Sequence, residues 1–372
     1  MKVLTRMFFL FSMLFCVSAS GQHDVMKKLS DAIINKDNAA VKQAIAEGAD
    51  VDGMTEHNQP PLVVAIVYMN PEALQILLDN KANLEKVQLD PIALGASKKH
   101  LEIIKILIKA GLNIKNKPAV LTALSAGSHL DVIKMLVDAG ADPEAKNAFD
   151  QNGITLLAGI MSPQKRMEGI QTAIEDSKTK GTKILPYYNN AEVSDFSNPV
   201  EIAKYLESKG VDPTATSLAG NALNFCSITG TSEFAQYLIS KGIDLDPSGI
   251  SPLWNAIHYK NTEIAKVIIN AKPDLERLHF YPAGEYAWKL SYLCEAVLNG
   301  DIETAKALID AGVDINETFE RTENETTTST GTQILTTTEY TIHTALSLAA
   351  EVGKDEMVKY LQSRGAKGPT EL

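Results

Sequence analysis

Residues 99–111 read Lys99-His100-Leu101-Glu102-Ile103-Ile104-Lys105-Ile106-Leu107-Ile108-Lys109-Ala110-Gly111. Apolar side chains recur at helical spacing with lysine on the other face, so the stretch predicts one amphipathic helix. It opens on a turn position, Lys99, and closes twelve residues later on Gly111. The same interval recurs along the chain in the pairs Lys36/Gly48, Met69/Lys81, Ser128/Gly140, Asn198/Gly210, Gly230/Gly242, Lys260/Lys272, Gly300/Gly312 and Gly353/Gly365. A helix whose C′ residue turns left-handed calls for glycine, and seven of the nine closing positions supply it.

Seven residues before most opening positions lies Leu62, Ile92, Leu121, Leu223, Leu253, Leu293 or Leu346, which marks a second, shorter helix. Pro61, Pro91 and Pro252 suit its first turn, and Asp90, Asn221, Ser251, Ser291 and Thr344 suit its N-cap. Three residues after the marker stands a small side chain, as in Ala65, Gly95, Gly159, Cys226, Ala256, Ala296 and Ala349, which lets neighbouring helices approach closely.

Thr344-Ala345-Leu346-Ser347-Leu348-Ala349-Ala350 and Ser251-Pro252-Leu253-Trp254-Asn255-Ala256 resemble the ankyrin motif T-P-L-H-x-A-A, and Ala139-Gly140-Ala141-Asp142 and Glu47-Gly48-Ala49-Asp50 resemble its closing A-G-A-D. The resemblance covers about residues 25 to 368. It implies an all-α fold, an ankyrin-repeat solenoid of helix-turn-helix units with projecting β-hairpin fingers and a concave recognition face. Met69, Lys81 and Lys272 depart from it where glycine is usual. One repeat domain is expected over 24–368, in units at about 24–52, 53–85, 86–115, 116–145, 146–214, 215–246, 247–275, 276–316 and 317–368. A terminal repeat needs a polar outer face, and the charged residues of 24–52 fit such a cap.

A packing repeat has no structural need of interruptions, so the three present point to binding. About 35 residues, 162–197, are inserted between the two helices of the fifth unit and carry Tyr187 and Tyr188. Over 276–290 the finger is long and aromatic, with Phe280, Tyr281, Tyr286 and Trp288. Residues 317–340 are rich in threonine and glutamate and read as a long β-hairpin. The first-helix positions Phe225, Trp254, Asn255, His258 and Tyr259 are expected near the groove beside these fingers. Together with the aromatic residues of the insert and fingers they are the candidate contacts for a protein partner. Packing of the insert down onto the stack and a small satellite core under the finger are the structural alternatives for those aromatics.

Lys2 and Arg6 precede the apolar run Met7 to Val17 and then Ser18-Ala19-Ser20, the layout of a cleavable leader over residues 1–20. Eleven apolar residues are too few for a bilayer span, which takes about 20. Bulky Phe15 before Cys16 argues against lipidation. A periplasmic or secreted protein is therefore expected. Losing Lys2 and Arg6 takes the formal charge from −11 to −13, which disfavours nucleic acid and suits a basic protein partner. Apolar content of 45% with 22% charged residues fits a folded globular chain.

The seven histidines show no metal-ligand spacing, and nucleophile-elbow, redox and nucleotide motifs are missing. No catalytic residue, cofactor or metal is assigned. Cys226 and Cys294 lie in first helices two units apart, beyond bridging distance, and are expected as buried thiols. The sequence thus reads as a monomeric, non-enzymatic protein-recognition scaffold. Its alternatives are an inhibitor or immunity protein masking a toxin or enzyme, and an enzyme built in the insert from Tyr187, Tyr188 or Glu192 with Lys183.

Overall fold

The computed structural model describes residues 23–371 except 87–89, 98–100, 116–117, 126, 128, 160–198, 284–285 and 331–332. The leader at 1–20 and the insert at 162–197, with Tyr187, Tyr188, Lys183 and Glu192, lie outside the described residues. The chain divides into two compact units, residues 23–146 and residues 147–159 with 199–371.

Unit 1 holds α1 (23–34), α2 (Asn38–Ala46), α3 (Pro61–Val67), α4 (Pro71–Asp79), α5 (Pro91–Ser97), α6 (Leu101–Lys109), α7 (Ala119–Ser125) and α8 (Leu130–Asp138). The shorter helices α3, α5 and α7 pack in one row, the longer α2, α4, α6 and α8 in a second, and α3, α5 and α7 each fold back on the helix that follows. Leu29, Ile33, Leu62, Ile66, Leu74, Leu77, Ile103 and Leu107 are fully buried in the core between the rows.

Unit 2 repeats the plan with α9 (Gly153–Ala158), α10 (Pro199–Ser208), α11 (Ala222–Thr229), α12 (Ser232–Ser240), α13 (Pro252–His258), α14 (Thr262–Asn270), α15 (Tyr292–Asn299), α16 (Ile302–Asp310), α17 (Ala345–Glu351) and α18 (Asp355–Ser363). First helices α9, α11, α13, α15 and α17 again pack in succession. Three antiparallel strand pairs join the helices: β1 (Thr216–Ser217) with β2 (Gly220–Asn221), β3 (His279–Ala283) with β4 (Tyr286–Leu290), and β5 (Thr318–Thr330) with β6 (Gln333–Thr344). β4 runs beside β5. The β5–β6 register shifts between Thr322 and Asn324, and β6 ends at Thr344, the N-cap of α17.

Local chemistry sets these boundaries. Asp90 Oδ1 accepts from the Ile92 amide, Asn221 from Asn224, Ser251 from Leu253 and Trp254, Ser291 from Cys294, and Thr344 from Ser347, so the five expected caps satisfy donors that the helices leave open. All nine closing positions have positive φ, including Lys81 at 67° and Lys272 at 62°. Among the described opening positions Lys36, Met69, Lys260, Gly300 and Gly353 have positive φ, whereas Gly230 has φ of −76° and is held to glycine by crowding, because a Cβ there would sit 2.6 Å from Cys226 Sγ. The marker residues Leu62, Ile92, Leu121, Leu223, Leu253 and Leu293 are buried, while Leu346 of the last unit is half-buried.

Amide side chains stitch successive units together. Buried Asn70 Nδ2 donates to Ile33 O at 3.0 Å, buried Asn261 Nδ2 to Ser227 O and Ile228 O, and half-buried Asn299 Nδ2 to Ile257 O at 2.9 Å, while within the fifth unit Asn152 Nδ2 ties α9 to the loop after α10 through Asp212 O at 2.8 Å. Each carbonyl lies at or beyond a helix end or in a connecting loop, where ladder partners run out.

Candidate binding face

The expected first-helix contacts separate into two groups. Trp254 and Asn255 are each 8% exposed, and the Asn255 amide donates to Asn224 O, so both side chains are buried among the first helices. Phe225 is half-buried. His258 and Tyr259, at the C-terminal end of α13, face solvent: the Tyr259 residue is 51% exposed and the imidazole 42%. Their rings meet edge to face with centroids 5.1 Å apart. The backbone register of β3 and β4 sets Tyr281 opposite Trp288 and Ala283 opposite Tyr286, with Phe280 opposite Lys289. The side chains of Phe280, Tyr281, Tyr286 and Trp288 lie outside the described part of the structure.

Behind His258 stands a group that the sequence did not single out. Glu295, on α15, has a side chain only 2% exposed, and its Oε1 lies 2.8 Å from His258 Nδ1. The Asn299 amide donates to the same oxygen at 3.3 Å. Oε2 is buried with no hydrogen-bond partner among the described residues.

The large apolar side chains that remain exposed follow a pattern. Met54, Phe149, Leu218, Ile250, Leu278 and Ile342 lie in the connections leading into first helices, and Tyr68, Met69, Tyr259 and Val352 at the turns that follow them. Among the described residues no second helix contributes one. In unit 2 the tips are braced on one another: the Leu218 amide donates to Phe149 O at 3.1 Å, Asn224 Nδ2 to Ile250 O at 2.6 Å, and the Arg277 guanidinium to Pro247 O and Gly249 O.

A groove of about 960 Å³ in unit 2 runs between the segments that follow α14 and α16. Lys272, Asp274, Glu276, Asp314 and Glu317 are among the residues that line it. Burial pushes the Glu317 carboxyl up; a hydrogen bond from Ser291 opposes the shift, and the charges of Asp314 and Glu276 add to it. The groove is thus a region of concentrated negative charge. Cys226 and Cys294 are both buried and are not bridged to each other, and burial pushes the Cys294 thiol up to about 12.

A family model described as ankyrin repeats (3 copies) matches residues 29–118 and 192–278. The match thus falls in both units, and together with the mostly helical content it fits an all-α repeat fold. Such repeats generally mediate protein–protein interaction and are typically non-catalytic. The match ends at Leu278, before both long hairpins. No curated protein matches the sequence. Among the described residues no helix is long and apolar enough to cross a membrane, and no cluster of histidine, cysteine and carboxylates fits a metal ion.

Proposed function

We propose that the chain is a non-enzymatic recognition scaffold, an ankyrin-repeat solenoid exported to the periplasm or the cell exterior, which holds a protein partner with its loops and the turn ends of its first helices. The distribution of exposed apolar residues carries this reading. Single exposed apolar side chains are ordinary on a monomer surface. Their confinement to loops and turns, with second helices presenting none among the described residues, marks one set of surfaces for contact. The charge of −11 and the acidic groove favour a basic partner, and with it a second reading, an inhibitor that masks a basic cleft.

The test is cross-linking in the native compartment with the triple variant Leu218→Ser, Ile250→Ser, Tyr259→Ser. These residues are exposed, so thermal unfolding should be unchanged while cross-linked partner is lost; undiminished cross-linking overturns the proposal. Deleting residues 320–340 tests the contribution of the long hairpin in the same assay. Export is tested by N-terminal sequencing of the mature protein, expected to begin just after Ala19 or Ser20. A chain that keeps Met1 and stays in the cytoplasm sinks that part.

A further inference from the structure

We propose that β6 is an assembly edge, on which a second copy of this chain adds its own β6, antiparallel, about a two-fold axis at Thr338. Such an assembly goes beyond the scaffold reading and makes a pair of a chain whose sequence suggests a monomer. The two edges of the long hairpin differ. β6 pairs with β5 on one side, and among the described residues no strand borders its other side. A free edge presents a row of backbone N–H and C=O groups to which another strand can add. Proteins usually guard such an edge with charge, proline or a bulge. β5 carries these guards: Glu320, Arg321, Glu323 and Glu325 lie along it, Glu323 is the extra residue at the register shift between Thr322 and Asn324, and β4 runs beside it. β6 is nearly bare of them. Gln333 to Thr338 are uncharged, the strand holds no proline, and Glu339 is its one carboxylate. For a chain of formal charge −11, this is an edge that a second copy can approach with little like-charge opposition.

The residues of β6 are complementary to themselves. Ile342 is 56% exposed although it lies in regular strand. Alternation with period two puts Ile334, Thr336, Thr338 and Tyr340 at positions of the same parity as Ile342. Each is β-branched or aromatic, the types that favour cross-strand pairs. With the axis at Thr338 the two strands overlap from Ile334 to Ile342. Ile334 then stands opposite the second copy's Ile342, Thr336 opposite its Tyr340, and Glu339 opposite its Thr337, so the two glutamates do not meet. The overlap stops at Ile342 because His343 is half-buried and Thr344 is buried, its hydroxyl donating to Lys367 O at 3.0 Å. Pairing of this kind is isologous and closes on itself: it gives a four-stranded antiparallel sheet whose outer strands are the two guarded β5 strands.

The experiment is sedimentation velocity of the full protein, as its host processes it, from about 1 μM to about 1 mM, the range of weak to moderate association. A monomer–dimer equilibrium is expected; a monomer throughout overturns the proposal. Thr338→Cys tests the register. Residues facing each other across an antiparallel pair have Cα atoms about 4.5–5.5 Å apart, within reach of a disulfide, so mild oxidation should give a covalent dimer. In Thr336→Cys the two cysteines would lie about 14 Å apart along the strands and should stay unlinked. Equal linking of both variants, or of neither, overturns the axis. Ile342→Lys changes both symmetric isoleucine pairs and should weaken the dimer about tenfold, and adding Ile334→Glu should restore it by setting glutamate opposite lysine. Helical circular dichroism should be the same in every variant, and a dimer indifferent to Ile342→Lys is held elsewhere and overturns the proposal. If a photo-activatable group at position 342 captures a different protein while the chain alone stays monomeric, the edge takes a foreign strand and the second-copy assignment fails. Loss of the partner cross-link in the loop variant bears on the scaffold reading, whereas sedimentation of the chain alone bears on this one.

Discussion

Asn70 is the strongest single test of how one unit is fastened to the next. Its residue is 0% exposed; Oδ1 accepts the Ala73 amide at 3.0 Å as the N-cap of α4, and Nδ2 donates to Ile33 O at 3.0 Å in the preceding unit. Asn70→Ala removes both bonds. Losing the cap costs about 1 kcal/mol, and losing the bond to Ile33 O, which still accepts the Lys36 amide at 3.2 Å, costs about 0.5–1.5 kcal/mol, so unit 1 should lose about 1.5–2.5 kcal/mol. Asn70→Ser keeps a capping oxygen and should fall between the wild type and alanine. Asn70→Asp keeps the cap but turns a second acceptor toward Ile33 O, so it should be no more stable than alanine. Urea unfolding followed by circular dichroism gives the totals, and amide exchange within α2 and α4 localises the loss. An alanine variant within about 0.5 kcal/mol of wild type, below the range expected for a buried side-chain cap and bond, or an aspartate variant as stable as wild type, refutes the assignment.

Two further outcomes follow from backbone and burial. Lys81 and Lys272 hold φ of 67° and 62°, a region that costs a residue with a Cβ about 1 kcal/mol or more. Lys81→Gly and Lys272→Gly should each stabilise by about 0.5–1 kcal/mol after glycine's extra chain entropy is deducted, and a loss on urea unfolding contradicts the phase assigned to the repeats. Burial pushes the Tyr292 phenol up to about 12, while its hydrogen bond to Ser251 pulls the other way. Because the folded value lies above the unfolded one, near 10, this group's contribution is complete below pH 10 and is lost as pH rises from there to about 12. Over that window stability should fall less steeply with pH in Tyr292→Phe than in wild type; parallel curves refute the assignment.

The repeat was legible because its signal is carried by spacing. Lys81 and Lys272 lack the glycine signature, yet their interval alone placed them at left-handed positions. The faces of the first helices were not legible. α13 buries every residue from Pro252 to Ile257, and α15 every residue from Tyr292 to Val297, so neither has a polar stripe by which periodicity could orient it. For this reason Trp254 and Asn255 read as groove residues but are interior, and nothing in the spacing singled out Glu295. The exposed tips were missed for a different reason. Leu218 and Ile250 sit among turn residues, 217–220 and 248–251, where an isolated apolar side chain carries no periodic signal.

Glu295 and Asn70 are both buried and polar, and the structure assigns their replacement opposite signs. Truncating Asn70 removes both a cap bond and a bond to the preceding unit and leaves a hole at a fully buried position. Replacing Glu295 by methionine leaves neither former partner stranded: His258 is 42% exposed and can be hydrated, and Asn299 keeps its bond to Ile257 O at 2.9 Å. The carboxylate itself has an oxygen buried without a partner among the described residues, a desolvation cost of about 1–3 kcal/mol or more for a charged group. Exchanging a buried charge for an apolar side chain of similar volume is often neutral or stabilising by about 1–4 kcal/mol when no charge is abandoned. Glu295→Met should therefore unfold at the same urea concentration as wild type or a higher one. If Glu295→Met instead loses more than about 1 kcal/mol, beyond the scatter expected of a well-tolerated core replacement, the carboxylate holds the fold.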